Sequence, residues 1–199
     1  MKKTVLITGS NQGIGYELAK YLCKNGYNLI LCARNKVKLA NVEKELSKIK
    51  KKNQFIISKN LDISSEKKVD NFFKLNFKKL SKVDVLINCA GIYGPKGLFQ
   101  NQNWQNWKDV IRINLLGSIY IIKKILPYFT KKNKGKIIQF AGGGAASPFP
   151  FFTAYSASKV GLVRFVENIS LELKNKNIQI NCIAPGPVNT RMLDEVLVA

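Results

Sequence analysis

Thr8-Gly9-Ser10-Asn11-Gln12-Gly13-Ile14-Gly15 is the stretch on which the fold turns. The β-rich run Thr4–Thr8 (TVLIT) leads straight into it, and a helical stripe of Ile14, Leu18, Tyr21 and Leu22 follows. A strand that enters a helix through a glycine-rich turn leaves backbone N–H groups at the positive end of that helix. A pyrophosphate approaches such groups only where no side chains hold it off. Gly9 permits the turn, Gly13 the close approach, and Gly15 the packing of helix on strand. Glycine triplets also occur as plain loop punctuation, but the strand–turn–helix setting is the one that phosphate binding demands.

Outward from this loop, β-like and helical segments alternate to the end of the chain. Strand-like runs cover residues 4–8, 28–33, 54–58, 83–88, 136–141 and 178–183, and most are continuously apolar, as strands covered on both faces are. Helical patterns cover 14–25, 36–51, 64–80, 104–131 and 153–174. Right-handed βαβ units follow, and with them an α/β, Rossmann-like, doubly wound parallel sheet of about six strands in the order 3-2-1-4-5-6. No linker or repeat interrupts residues 1–199, so a single dinucleotide-binding domain is expected.

Composition narrows the chemistry. Histidine is absent, which removes Ser-His-Asp hydrolysis, Cys-His proteolysis and nearly every zinc site, and no metal is expected. Cys23, Cys32, Cys89 and Cys182 are far apart and read as reduced thiols. The balance of 33 Lys+Arg against 12 Asp+Glu gives a formal charge of +21. Only Arg34, Arg112, Arg164 and Arg191 are arginines, and the lysines are scattered over every helical pattern. Weak polyanion binding at low salt fits that pattern; specific nucleic-acid recognition does not. The start MKKTVLITGS has too short an apolar run for a signal peptide, and no stretch suits a membrane span. A cytoplasmic protein is expected.

Three motifs in series, TGSNQGIG at 8–15, NCAG at 88–91 and YSASK at 155–159, resemble the short-chain dehydrogenase/reductase family. The resemblance covers essentially the whole chain. It implies hydride transfer between NAD(P) and a small carbonyl or alcohol substrate. Tyr155 and Lys159, one helical turn apart, provide a phenol beside an ammonium that favours its ionised form. By resemblance Tyr155 is the general acid/base, Lys159 also holds the nicotinamide ribose, and Asn114 anchors a water relay to the lysine. Cofactor contacts are implied for Gly9, Ser10, Asn11, Gly13, Ile14, Gly15, Asp62, Ala90 and Gly91. Asn88 is similar to an asparagine that ties neighbouring strands. Pro185, Gly186, Val188 and Thr190 match a loop that meets the nicotinamide amide and phosphates. The second strand ends at Ala33, where NAD-preferring relatives carry a carboxylate, and Arg34 follows. NADP(H) is therefore favoured over NAD(H), although Gln12 stands where a basic residue is frequent.

Two departures from the family pattern shape the expectations. The usual active-site serine lies thirteen positions before the tyrosine, where this chain has Gly142, flanked by Ala141, Gly143 and Gly144. Backbone N–H groups of Gly143 or Gly144, a returning Ser147 or Thr153, or a water or substrate hydroxyl are the candidate replacements, with the backbone donors preferred. The chain also ends at Ala199, inside the region that usually forms a substrate lid, before a seventh strand. A fragment or a short form with an open site is expected, and homo-oligomerisation is possible. An impaired, non-enzymatic dinucleotide-binding protein is the rival reading.

Overall fold

Apolar runs flanked by helices assemble into one parallel sheet. The computed structural model describes residues 2–197 and contains β1 (Thr4–Thr8), β2 (Asn28–Ala33), β3 (Ile56–Asn60), β4 (Val83–Asn88), β5 (Gly135–Phe140) and β6 (Ile178–Ile183). Their order is β3-β2-β1-β4-β5-β6, as expected, and every neighbouring pair is parallel. The helices are α1 (Gly13–Lys24), α2 (Lys36–Ile49), α3 (Glu66–Leu75), α4 (Phe77–Leu80), α5 (Trp104–Val110), α6 (Ser118–Lys131), α7 (Thr153–Glu172) and α8 (Arg191–Leu197). A π-helical segment, Ile111–Gly117, joins α5 to α6.

Several boundaries differ from the sequence pattern, two of them for a visible reason. Gln54 does not open the third strand, because its amide is used to close the preceding turn. Its Oε1 accepts from Lys51 N at 2.8 Å, and its Nε2 donates to the carbonyls of Cys23 and Tyr27. The helix expected over 64–80 breaks at Asn76, whose N–H and Nδ2 both donate to Phe72 O, while Lys79 N returns to Asn76 O. The fifth strand begins and ends one residue earlier than the pattern suggests.

Each face of the sheet has its own core. On one, Leu6, Ile30, Leu86, Ile137 and Ile180 pack against α3, α6 and α7 through Phe72, Ile121, Phe129 and Val166. On the other, Ile7, Leu29 and Leu31 pack beneath α1 and α2 through Ala19, Cys23, Leu39 and Leu46. With both faces of β1 and β2 covered, these strands must be apolar at successive positions, and all five residues of β1 are buried.

Between β1 and β4 the chain order reverses. Doubly wound sheets open a crevice at such a point, beyond the carboxyl ends of the strands. Buried polar side chains bind the crevice floor. Thr8 Oγ1 donates to Asn88 Oδ1 at 2.6 Å. Asn88 Nδ2 donates to Gln139 Oε1 at 2.9 Å and to Ser118 O at 3.0 Å. Each strand-end polar group is thereby satisfied by its neighbour. Asn88→Ala would leave several of these partners unsatisfied at about 1–3 kcal/mol each. Urea unfolding should show a loss in that range or above; a loss below about 0.5 kcal/mol would mean that the chain of amides does not hold the sheet.

Candidate active site

The glycine-rich turn has no room for side chains. Gly9 has φ +69°, and a Cβ built on it would lie 2.8 Å from the backbone N and Cα of Ala90. A Cβ on Gly15 would lie 2.4 Å from Gly9 O, so the first turn of α1 rests directly on the loop. Ser10 is completely buried, its N–H and Oγ both directed at Cys32 O, which ties the loop to β2.

Two cavities lie along the carboxyl edge of the sheet, and Gly91 borders both. The smaller, about 250 Å³, lies between the glycine-rich turn, the β2–α2 connection and the residues after β3, with Gly9, Asn11, Arg34, Asp62 and Ala90 on its walls. Burial opposes ionisation of Asp62, but the Ser64 hydroxyl and N–H at 2.7 and 3.1 Å, with Arg34 and Lys68 nearby, bring its carboxyl below the ordinary value. It is thus both a turn aspartate and a wall of the cavity. Lys38, which sequence reasoning passed over, also borders this cavity. The larger cavity, about 390 Å³, brings Ile14, Tyr155, Lys159, Pro185, Gly186, Val188 and Thr190 to one space. Asn88, Asn114, Ser10, Gly13 and Gly15 border neither cavity and lie behind these walls. Paired in this way, the cavities suit a two-part ligand such as a dinucleotide, and the sterically forced Gly9 and Gly15 keep the turn beside them free of side chains.

α7 places the phenol and the amine. Tyr155 and Lys159 are both nearly buried, and Lys159 Nζ lies 5.5 Å from the centre of the tyrosine ring. Lys159 Nζ donates to Phe140 O at 3.0 Å. Gln139 Nε2 donates to the same carbonyl at 3.1 Å, so the amide chain at the crevice floor extends to the lysine. Both polar atoms of the Asn114 side chain are engaged. Its Oδ1 accepts from Ile92 N at 2.9 Å, and its Nδ2 donates to Ile92 O at 2.8 Å and Ser158 Oγ at 3.1 Å. The side chain therefore braces the segment after β4 against α7, from within the π-helical segment.

The electrostatics differ from the sequence expectation. Burial, with Tyr93 beside it, pushes the Tyr155 phenol up to about 12 rather than down. Burial brings Lys159 down to about 8, with the thiols of Cys182 and Cys89 acting in the other direction. Tyr93 itself was not singled out in the sequence, since an aromatic in a glycine-rich loop carries no periodic signal. Its ring lies 4.7 Å from that of Tyr155, and Phe149 lies 6.4 Å away on another side. Phe152 packs beneath, stacked on Phe149 at 4.4 Å, and Phe151 is exposed.

Gly142 is decided by Tyr155. Its backbone is extended (φ 171°, ψ 172°), a conformation any residue adopts. Yet a Cβ there would lie 2.1 Å from Tyr155 Oη and 3.0 Å from Cζ. The phenol hydroxyl occupies the space of the missing side chain. Of the candidate replacements, Thr153 is engaged elsewhere, accepting from Trp107 Nε1 at 3.1 Å and donating to Gln102 Oε1 at 3.2 Å. Ser147 borders the cavity. The Gly143–Ala145 turn closes through Ala145 N and Ala146 N, which leaves the N–H groups of Gly143 and Gly144 outside its own bonding.

A doubly wound sheet with a glycine-rich phosphate cradle and a Tyr–Lys pair over its switch point defines a dinucleotide-dependent class. The profile of the short chain dehydrogenase family matches residues 3–197, and the chain belongs to that family of oxidoreductases. It is 33% identical over 195 residues to a 3-oxoacyl-[acyl-carrier-protein] reductase of Buchnera aphidicola subsp. Baizongia pistaciae, covering 98% of this chain and 77% of the relative. An 11-beta-hydroxysteroid dehydrogenase-like protein of Arabidopsis thaliana is 34% identical over 96% of this chain and 60% of its own length. Among solved structures, a variant of the actinorhodin polyketide ketoreductase with NADPH superposes with a TM-score of 0.90 at 30% identity, covering 98% of this chain and 74% of that one.

Two outcomes test the geometry. Gly142→Ser must displace the Tyr155 ring from between its aromatic neighbours and should cost about 1–3 kcal/mol in urea unfolding, as overpacking does; an unchanged midpoint would show that the ring yields freely. Lys159 has its amine depressed by burial, so below about pH 8 it is charged in both folded and unfolded chains and carries the full burial cost. Between pH 8 and its ordinary 10.5 the unfolded chain holds the extra proton, and folding stability rises with pH. The Tm of the wild type should therefore gain on that of Lys159→Met across this window. A constant difference would contradict the burial.

Proposed function

We propose that this chain is an NADP(H)-dependent oxidoreductase that interconverts a secondary alcohol and a ketone. The observation that carries this reading is the meeting of Tyr155 and Lys159 with Ile14, Pro185, Val188 and Thr190 in one cavity, continuous with the glycine cradle through Gly91. NADP(H) is favoured because β2 ends on Ala33 with no carboxylate and Arg34 borders the second cavity. Solved relatives agree in part: the ketoreductase above holds NADPH, the related ElxO holds NADP, and a xylitol dehydrogenase holds NAD+.

A nicotinamide bound in this cavity would supply the hydride-transfer chemistry. The protein's task is the proton. With its phenol held near 12, Tyr155 is protonated at neutral pH and stands ready as the acid that delivers a proton from Oη to a carbonyl oxygen as hydride reaches the carbon. In the oxidative direction the same oxygen takes the hydroxyl proton. Lys159 keeps one N–H on Phe140 O and directs its remaining donors to the cleft, where a ribose hydroxyl would sit. The N–H groups of Gly143 and Gly144 are the donors offered in place of a serine hydroxyl. The loss of one such donor slows comparable sites by about 10²–10³ without abolishing them. Tyr93, Phe149, Met192 and Leu193 contribute apolar surface to the wall and, among the described residues, Lys159 is the one charged residue lining it, which suits an uncharged carbonyl compound. The same reading makes the chain a single-domain cytoplasmic catalyst, free to form homo-oligomers, whose surplus lysines recognise no particular nucleic acid. Among the described residues no helix is long and apolar enough to cross a membrane.

The seating of Tyr155 Oη in the space beside Gly142 also favours a second reading, a dinucleotide-binding protein without turnover. Steady-state oxidation of NADPH over a panel of ketones separates the two. Under the first reading Tyr155→Phe lowers turnover by about 10²–10⁴ while the NADPH Kd stays within about threefold. Full activity in that variant would remove the phenol from the mechanism.

A further inference from the structure

Resting on the NADP(H)-dependent reading above, we infer that Lys38 is a specificity-determining residue that completes the site for the 2′-phosphate. The glycine-rich turn has the neutral Gln12 at its inner edge, so it contributes no charge of its own. Lys38 comes from the opposite wall, in the first turn of α2, and its Nζ reaches across the cavity to Gln12 Oε1 at 3.4 Å. The partner is an uncharged amide oxygen. The ammonium is therefore positioned but not neutralised, and among the described residues neither Lys38 nor Arg34 forms an ion pair.

The local backbone supports the same conclusion. Asn35 caps α2 by accepting from Lys38 N at 2.9 Å, which sets the direction in which this residue leaves the helix. The first turn contains no acidic residue and carries Lys36 and Lys38 at the positive end of a helix, where cations are unfavourable unless an anion joins them. Among the described residues Asp62 is the one carboxylate on the cavity wall; its Oδ1 accepts from the Ser64 N–H and hydroxyl, and Arg34 and Lys68 lie near it. Arg34 and Lys38 thus face a space between β2 and the glycine-rich turn. There a phosphate on the adenosine ribose would accept from both, whereas a bare 2′-hydroxyl would find no carboxylate at the end of β2 to accept its hydrogen bond.

Isothermal titration with adenosine 2′,5′-bisphosphate and 5′-AMP isolates the effect, because the two probes differ only in the 2′-phosphate. At low ionic strength Lys38→Gln should weaken the bisphosphate by about fivefold to tenfold, leave 5′-AMP within about twofold, and lose this contrast as salt is added. Lys36→Gln, which removes the same charge from the same turn but does not border the cavity, should leave both probes within about twofold. Removing a cation from the helix start should also raise the Tm of the free Lys38→Gln protein slightly, while its gain in Tm from the bisphosphate shrinks. Equal weakening of both probes by Lys38→Gln, or an equal effect of Lys36→Gln, would overturn the assignment of Lys38. A wild-type chain that binds neither probe would overturn the dinucleotide reading itself.

Discussion

The hydrogen-bonded series Thr8–Asn88–Gln139 is the constraint on which the rest of the site depends. It crosses β1, β4 and β5 where the sheet changes direction, the one place in this fold where the strand ends part and leave room for a ligand. Buried amides left without partners there would be costly, so each takes its acceptor from the next strand, and the strands are held in register. The series ends on Phe140 O, which also receives Lys159 Nζ. Sheet register and the position of the amine are therefore one property. A buried polar network of this kind rigidifies only when every member is satisfied.

Around that floor, the fold balances two opposing demands. In the proposed reaction Tyr155 and Lys159 have to be buried to lie against a cofactor and exclude water, yet burial disfavours the charged form of both groups. The consequence is a phenol that keeps its proton and an amine whose charge is easily lost. A proton donor at neutral pH is what the proposed carbonyl reduction would ask of the phenol. The aromatic neighbours Tyr93 and Phe149 serve the same end, since they supply bulk without adding a competing charge.

The glycines at 142–144 are better understood as part of this packing than as a gap in it. The backbone at Gly142 would accept any residue; what limits the position is the tyrosine hydroxyl. The absent side chain and the phenol hydroxyl that fills its space are thus two aspects of one local arrangement. At the other end of the cleft Lys38 shows a related substitution. A charge absent from the glycine-rich turn is present on the facing helix, at a position that no motif marks.

Much of this was legible in the chain itself. Continuous apolar runs separated by helical stripes specify a sheet covered on both faces. The glycines before α1 specify a turn that side chains would block. Tyr155 and Lys159 share a helix face because helical geometry puts positions four apart together. Such features depend on neighbours in sequence, and sequence therefore determined them: the parallel sheet, its order, the tight glycine-rich turn and the Tyr–Lys pair. The frame of β3 was missed because the Gln54 amide bonds to carbonyls about thirty residues away. Tyr93, Gln139 and Lys38 were missed because their roles arise only when separate loops and strands meet. The same holds for the direction of the Tyr155 shift and the occupant of the space at Gly142. These were decided by tertiary structure alone, because desolvation and steric exclusion depend on what surrounds a group in space, and segments distant along the chain supply those surroundings.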